Sequence, residues 1–267
     1  MRHNGAEIPR LPELMLFRPS RPQAPPAPEP DHFRLRLDGE EILVTLRRNA
    51  RARRYTLRVR AATRDVVLTL PARGTLREAY DFAQRHAGWI KVRLARLPQT
   101  VPFLPDAVIP LRGVPSRIVH RPGARGTVWT GEEEGHAVLN VAGEAAHVAR
   151  RVADFLKREA RRDLVAASTR HAAALGVSIT RVTLRDTASR WGSCSATGAL
   201  SYSWRVILAP AFVLDYLAAH EVAHRREMNH GPRFWATVDQ LFPQREAAEL
   251  WLKRHGAELH RYGAEEG

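Results

Sequence analysis

His220, Glu221 and His224 form a His-Glu-x-x-His run, and His230 follows six residues later. On a helix, side chains four apart stack on one face with about 5–6 Å between their Cβ atoms, so two imidazoles at that spacing can close on one ion of the Zn²⁺ type. Glu221 stands beside the first histidine, where its carboxylate can reach a water next to such an ion without ligating it. A third neutral donor is needed. His230 supplies it, because it follows Asn229 at the expected helix end and Gly231-Pro232 lets the chain turn back. Three imidazoles with one open position make a catalytic set, whereas a structural site is closed by four protein ligands. The spacing therefore predicts His220, His224 and His230 as metal ligands, Glu221 as the catalytic general base and Zn²⁺ as the cofactor. His3, His32, His86, His120, His136, His147 and His171 have no ligand spacing, and His255 and His260 read as surface residues.

The elements that must hold these groups can also be read. Pro210 is placed to open a helix, and Val213 and Leu217 continue the stripe that carries His220 and His224, which puts the ligands on the core side. Ahead of the helix lies a strand-like run over 199–207, a candidate sheet edge for an extended peptide. Before it comes Trp191-Gly192-Ser193-Cys194, where Gly192 permits a close backbone approach and Trp191 is expected to pack on the active-site helix. Cys194 is the one cysteine, so no intrachain disulfide forms, and it reads as a small buried apolar side chain off the metal.

Further upstream, residues 145–175 carry helical spacing that ends at Gly176, with a strand expected over 177–184. Residues 31–144 are β-rich. Short alternating runs at 33–37, 42–46, 55–60 and 66–70 predict mostly antiparallel strands, and a second set falls at 108–111, 116–119, 127–129 and 137–141. One long helix is predicted over 76–97, with Thr75 as its N-cap. Residues 1–30 hold eight of the eighteen prolines and read as a disordered tail. The division expected is thus 1–30 tail, 31–144 β-rich region and 145–262 catalytic region, in an α+β chain.

A formal net charge of +14 raises a polyanionic partner. The excess lies away from the histidines: residues 31–100 hold 16 basic and 7 acidic side chains, against 18 and 13 in 145–267. Seven arginines and no acid fall within 47–60, which reads as a solvated strand face with at most a weak nucleic-acid contact. No apolar run approaches the ~18–20 residues needed to span a bilayer, so no membrane contact and a cytoplasmic location are expected.

The order Trp191-Gly192-Ser193-Cys194, a strand, the His-Glu-x-x-His helix and His230 ahead of Phe234-Trp235 resembles the signature of the YgjP-like metallopeptidases, zincin-type proteins related to the SprT-like group. The likeness is strongest over about 180–255, and the early strands and the Trp89-Ile90 helix are similar to that family too. It implies a zincin-like catalytic region and a zinc-dependent hydrolase with His220, His224 and His230 as ligands and Glu221 as base. The metzincin turn is absent, since Glu227 replaces the glycine midway between the second and third ligands.

The leading expectation is a peptidase acting on a peptide or unfolded protein, with no site residue assigned to substrate binding. A nucleoside-triphosphate pyrophosphohydrolase, an activity attributed to some relatives of that family, is the alternative, with Arg190, Arg205, Arg225, Arg226 and Arg233 as candidate phosphate contacts. A non-enzymatic, zinc-stabilised nucleic-acid-binding module is the third, and Glu221 argues against it because a structural site has no use for that carboxylate. Helical geometry turns Arg225 and Arg226 about 100° and 200° from His224, which favours a peptide over a triphosphate.

Overall fold

The computed structural model describes residues 30–263 except 38, 61–64, 98 and 188. Nearly all of the expected Pro-rich tail, 1–29, lies outside the described residues. The chain is α+β. Strands β1 (His32–Leu37), β2 (Glu40–Asn49), β3 (Thr56–Val59) and β4 (Val66–Pro71) form a sheet in the order β1-β2-β4-β3, followed by helices α1 (Leu76–Arg85) and α2 (Ala87–Ala95). Strands β5 (Val108–Leu111), β6 (Val114–Arg121), β7 (Val128–Glu133) and β8 (His136–Ala142) form a second sheet, β5-β6-β8-β7, followed by α3 (Val148–Leu175).

These two segments share one topology. In each, an antiparallel hairpin is joined to a second hairpin through a parallel pairing of its inner strands, β2 with β4 and β6 with β8. The same four strands and closing helices thus occur twice along the chain, beginning at His32 and again at Val108. The central parallel pair also qualifies the mostly antiparallel expectation: two of the three pairings in each sheet are antiparallel.

The first copy has its own core, and the second shares one with the remainder of the molecule. Leu35, Val44, Val66, Leu68 and Leu70 alternate inward along the first sheet and pack on Ala79, Ala83 and Ile90, while a larger cluster fills the rest of the molecule. Thr75 caps α1 in a reciprocal box with Glu78, whose carboxylate also accepts from Tyr55 Oη at 2.8 Å. The single helix expected over 76–97 is two. At His86 the backbone leaves helical values (φ −104°, ψ 14°), its ring packs edge-on against Phe82 at 4.4 Å, and Gly88, a weak helix former, follows.

The C-terminal part of the chain is built on α3, which ends at Gly176 with φ 66°, a left-handed conformation that costs least without a Cβ. Strands β9 (Arg181–Arg185), β10 (Gly192–Cys194) and β11 (Ala199–Ser203) form a third sheet in the order β10-β11-β9. Of the strand expected over 177–184 only 181–184 lies in β9, which runs on to Arg185. The run 199–207 is not one edge strand either. Residues 204–208 form a 3₁₀ turn with five consecutive buried side chains, a pattern a two-faced strand does not produce, and β11 is flanked on both sides. The two edges of this sheet are β10 and β9, and β10 is the one whose Gly192 lies against Glu221.

Helix α4 (Ala211–Ala223) packs on α3, and Asp215 clamps the two by pairing with Arg170 and with His171 Nε2 at 2.7 Å. Burial pushes the Asp215 carboxyl up, but the contacts with His171 and Arg170 outweigh it and hold the group below its usual range. A carboxyl with a lowered folded pKa stabilises the fold above its unfolded value, near 4, and loses that contribution as pH falls through the folded value. Asp215→Asn is therefore expected to lower stability at pH 7 by about 1–2 kcal/mol, the scale of a hydrogen bond to a charged group, and to flatten the acid limb below pH 4. Urea melts of both proteins at pH 7 and pH 3 check this; an equal deficit at both values would contradict it.

Candidate metal centre

Helix α4 is apolar on almost every side and runs through the interior, with Val213, Ala218, Ala219, Val222 and Ala223 fully buried. His220 lies in its last turn and His224 is its C-cap. The chain then turns back, and α5 (Pro232–Leu241) starts with a proline in its first turn just after His230. One ligating nitrogen from each of His220, His224 and His230 lies within 4.8 Å of the others, and the Nε2 atoms of His220 and His230 are 3.1 Å apart.

The floor under these rings is Phe234, which is fully buried and lies 4.9, 4.5 and 4.7 Å from the three imidazoles, while Trp235 stacks on His230 at 5.6 Å. The Phe-Trp pair after His230 is thus a packing device that holds the histidines together. Burial, followed by the charges of His224 and His230, pushes His220 down to about 4, and burial lowers His224 as well. Both are neutral at physiological pH, the state in which imidazole ligates. His224 Nδ1 donates to the Glu227 carbonyl at 3.1 Å, which leaves its Nε2 lone pair available.

Glu221 is 4% exposed, and its Oε2 has no hydrogen-bond partner among the described residues. Burial pushes its carboxyl up to about 8, against the charge of Arg190, which pulls it down. Three convergent imidazole nitrogens, two of them facing each other at 3.1 Å, with a buried, unpartnered carboxylate oxygen on the residue next to His220, fit a divalent ion of the zinc type in donor number and chemistry.

Gly192 explains how the edge strand comes so near. A Cβ at position 192 would stand 2.7 Å from both Cγ and Cδ of Glu221, closer than non-bonded carbons approach. Gly192→Ala must displace either the carboxylate or β10. A misplacement of ~1 Å is worth about 10²-fold in rate, so hydrolysis is expected to fall by about that much with metal content retained. Parallel metal analysis and rate measurement check it, and a variant with wild-type turnover would contradict the role of this contact.

The structure places the other expected residues as follows. Cys194 is half-buried, donates to the Ser195 carbonyl at 3.3 Å, has its thiol pushed up by burial and then by Glu221, and lies outside the histidine cluster. Trp191 packs against the main core cluster, lies near Gly256 and faces His260 in a tilted ring contact at 5.2 Å. That contact corrects the surface reading of His260, which is 6% exposed because the turn after the last helix, α6 (Arg245–His255), folds under the tryptophan.

Of the five candidate arginines, Arg205 pairs with Asp186 at 2.6 and 3.0 Å and donates to the carbonyls of Tyr262 and Leu259. Arg225 donates to the carbonyls of Ser178 and Ala196, and Arg226 to that of Leu175. Arg233 is exposed on α5, and Arg190 is the one whose charge acts on Glu221. Sequence reasoning missed Tyr216 and Glu249, which support His220. Tyr216 carries a readable signal, one helical turn before the ligand; Glu249, on α6, carries none.

An α+β chain that presents a helix-borne His-Glu-x-x-His run with a third histidine beside it has the build of a metal-dependent hydrolase. Residues 53–255 match the YgjP-like metallopeptidase domain, and the chain belongs to that family. The metallopeptidase zymogen abylysin of Pyrococcus abyssi is a similar solved structure, with 22% identity and a TM-score of 0.32 over 37% of this chain and 97% of its own. No curated protein matches the chain. Among the described residues, no helix is long and apolar enough to cross a membrane.

Proposed function

We propose that the protein is a zinc-dependent peptidase in which His220, His224 and His230 hold the ion and Glu221 is the general base. The observation that carries this reading is the buried, unpartnered Oε2 of Glu221, a residue next in sequence to His220 of the histidine cluster whose side chain lies against Gly192 on the edge strand β10. When bound, a zinc ion polarises the scissile carbonyl, lowers the pKa of a water toward ~7 and, by its charge, favours the ionised form of a neighbouring carboxylate. Glu221 takes the proton of the attacking water and hands it to the leaving amine. Strand β10 holds the substrate main chain by accepting one more strand at its free edge, which brings a peptide bond alongside Glu221.

The fate of the arginines supports a peptide over a nucleoside triphosphate. A triphosphate calls for several guanidiniums on the open position, yet Arg205, Arg225 and Arg226 are engaged with a carboxylate and backbone carbonyls. The nucleic-acid alternative rests on arginines of 47–60, of which Arg48 donates to the carbonyls of Pro71, Ala72 and Gly74 and Arg60 pairs with Asp65. The deciding experiment supplies zinc-loaded protein with an unfolded polypeptide and, separately, with nucleoside triphosphates. Cleavage of the polypeptide alone is expected; pyrophosphate release without peptide cleavage would overturn the proposal.

A further inference from the structure

Tyr216 is 4% exposed and stands one helical turn before His220 on α4. Its hydroxyl is 3.3 Å from His220 Nδ1 and 2.9 Å from Glu249 Oε1, to which it donates. A phenol has one proton, and the carboxylate can only accept, so the proton in the contact with the imidazole must come from Nδ1. His220 is thereby fixed as the Nδ1–H tautomer, with its Nε2 lone pair turned toward His230 Nε2 at 3.1 Å.

Glu249 is itself held. Its second oxygen accepts from Arg245 at 3.2 Å, and Arg245 also donates to Asp239 at 2.6 Å. The same guanidinium lies over the Trp235 ring at 4.9 Å, and that ring stacks on His230. One residue of α6 thus supports two of the three histidines by separate routes: His220 through Glu249 and Tyr216, and His230 through Trp235. His224 needs neither, because the Glu227 carbonyl fixes it.

We propose that Tyr216 and Glu249 are positioning residues that set the tautomer of His220, with Glu249 acting on that ring through the Tyr216 hydroxyl. The inference rests on the reading of His220 as a metal ligand. Outer partners of this kind are worth 10–100-fold in metal affinity, because without them the imidazole divides between two tautomers and two ring orientations.

The test uses the full chain. Zinc affinity is measured by chelator competition for wild type, Tyr216→Phe, Glu249→Gln, the double variant and His220→Ala. Long-range ¹H–¹⁵N spectra of the metal-free protein report the imidazole tautomers, with the His220 signals assigned by their loss in His220→Ala. Tyr216→Phe is expected to weaken zinc binding about 10–100-fold and to mix the His220 tautomers. Glu249→Gln keeps a neutral acceptor and is expected to cost less, and the double variant is expected to show the same His220 tautomer mixture as Tyr216→Phe because the relay is already cut. Unaltered zinc affinity and His220 tautomer in Tyr216→Phe would overturn the proposal, and so would a further change in the His220 tautomer in the double variant. If Tyr216→Phe does not fold, an Nε2–H tautomer of His220 in the wild-type spectrum would overturn it. Full zinc occupancy in His220→Ala would instead bring down the ligand assignment, which separates the two failures.

Discussion

Glu221→Gln is expected to keep the ion and the fold while hydrolysis falls by about 10²–10⁴-fold, the range of a lost general base. The amide matches the carboxylate in shape, so the packing around Gly192 is undisturbed, but it cannot accept a proton from water. The substitution also has a stability signature. A carboxyl whose folded pKa is raised, here to about 8, stabilises least once pH passes that value, because ionising it costs solvation. The metal-free variant should therefore melt above metal-free wild type, with the gap widening as pH rises from about 5 to 8. A site that gains stability when its base is removed is one in which a buried charge is kept for chemistry. Wild-type turnover in Glu221→Gln would show that the proton goes elsewhere.

His224→Ala is the second large effect. It removes one of three donors and the imidazole that stacks on Phe234 at 4.5 Å, and two histidines cannot fill a three-ligand set. Zinc content after dialysis is expected to fall well below one equivalent, and hydrolysis with it. A ligand that binds only the folded state adds about 2.7 kcal/mol at a concentration 100 times its Kd, so zinc should raise the melting temperature of wild type and leave the variant unmoved. Full occupancy in His224→Ala would mean the ion is held by other residues.

The histidine cluster was legible because helix geometry converts a spacing of four into shared position, and because Pro210 and Gly231-Pro232 mark both ends of the segment. The alternation in 66–70 and the Thr75 box were legible for the same local reason. What the sequence hides is pairing between segments far apart. The run 199–207 has strand character, yet nothing in it says that β9 and β10 close both its edges and leave β11 in the middle of the sheet. The duplicated four-strand topology escaped detection because its recurrence interval, from His32 to Val108, exceeds the 20–50 residues typical of repeat arrays. Glu249 and the buried His260 follow the same rule: both lie near the site only through the path of α6 and the turn after it.

The most direct test is a reconstitution titration. Protein stripped with a chelator receives zinc in steps while cleavage of an unfolded polypeptide is followed. Activity is predicted to be absent at the start, to rise linearly and to level off at one equivalent, with Glu221→Gln binding the same equivalent and remaining inactive. Cleavage by the stripped protein, or a plateau reached without zinc uptake, would contradict a single catalytic ion held by His220, His224 and His230.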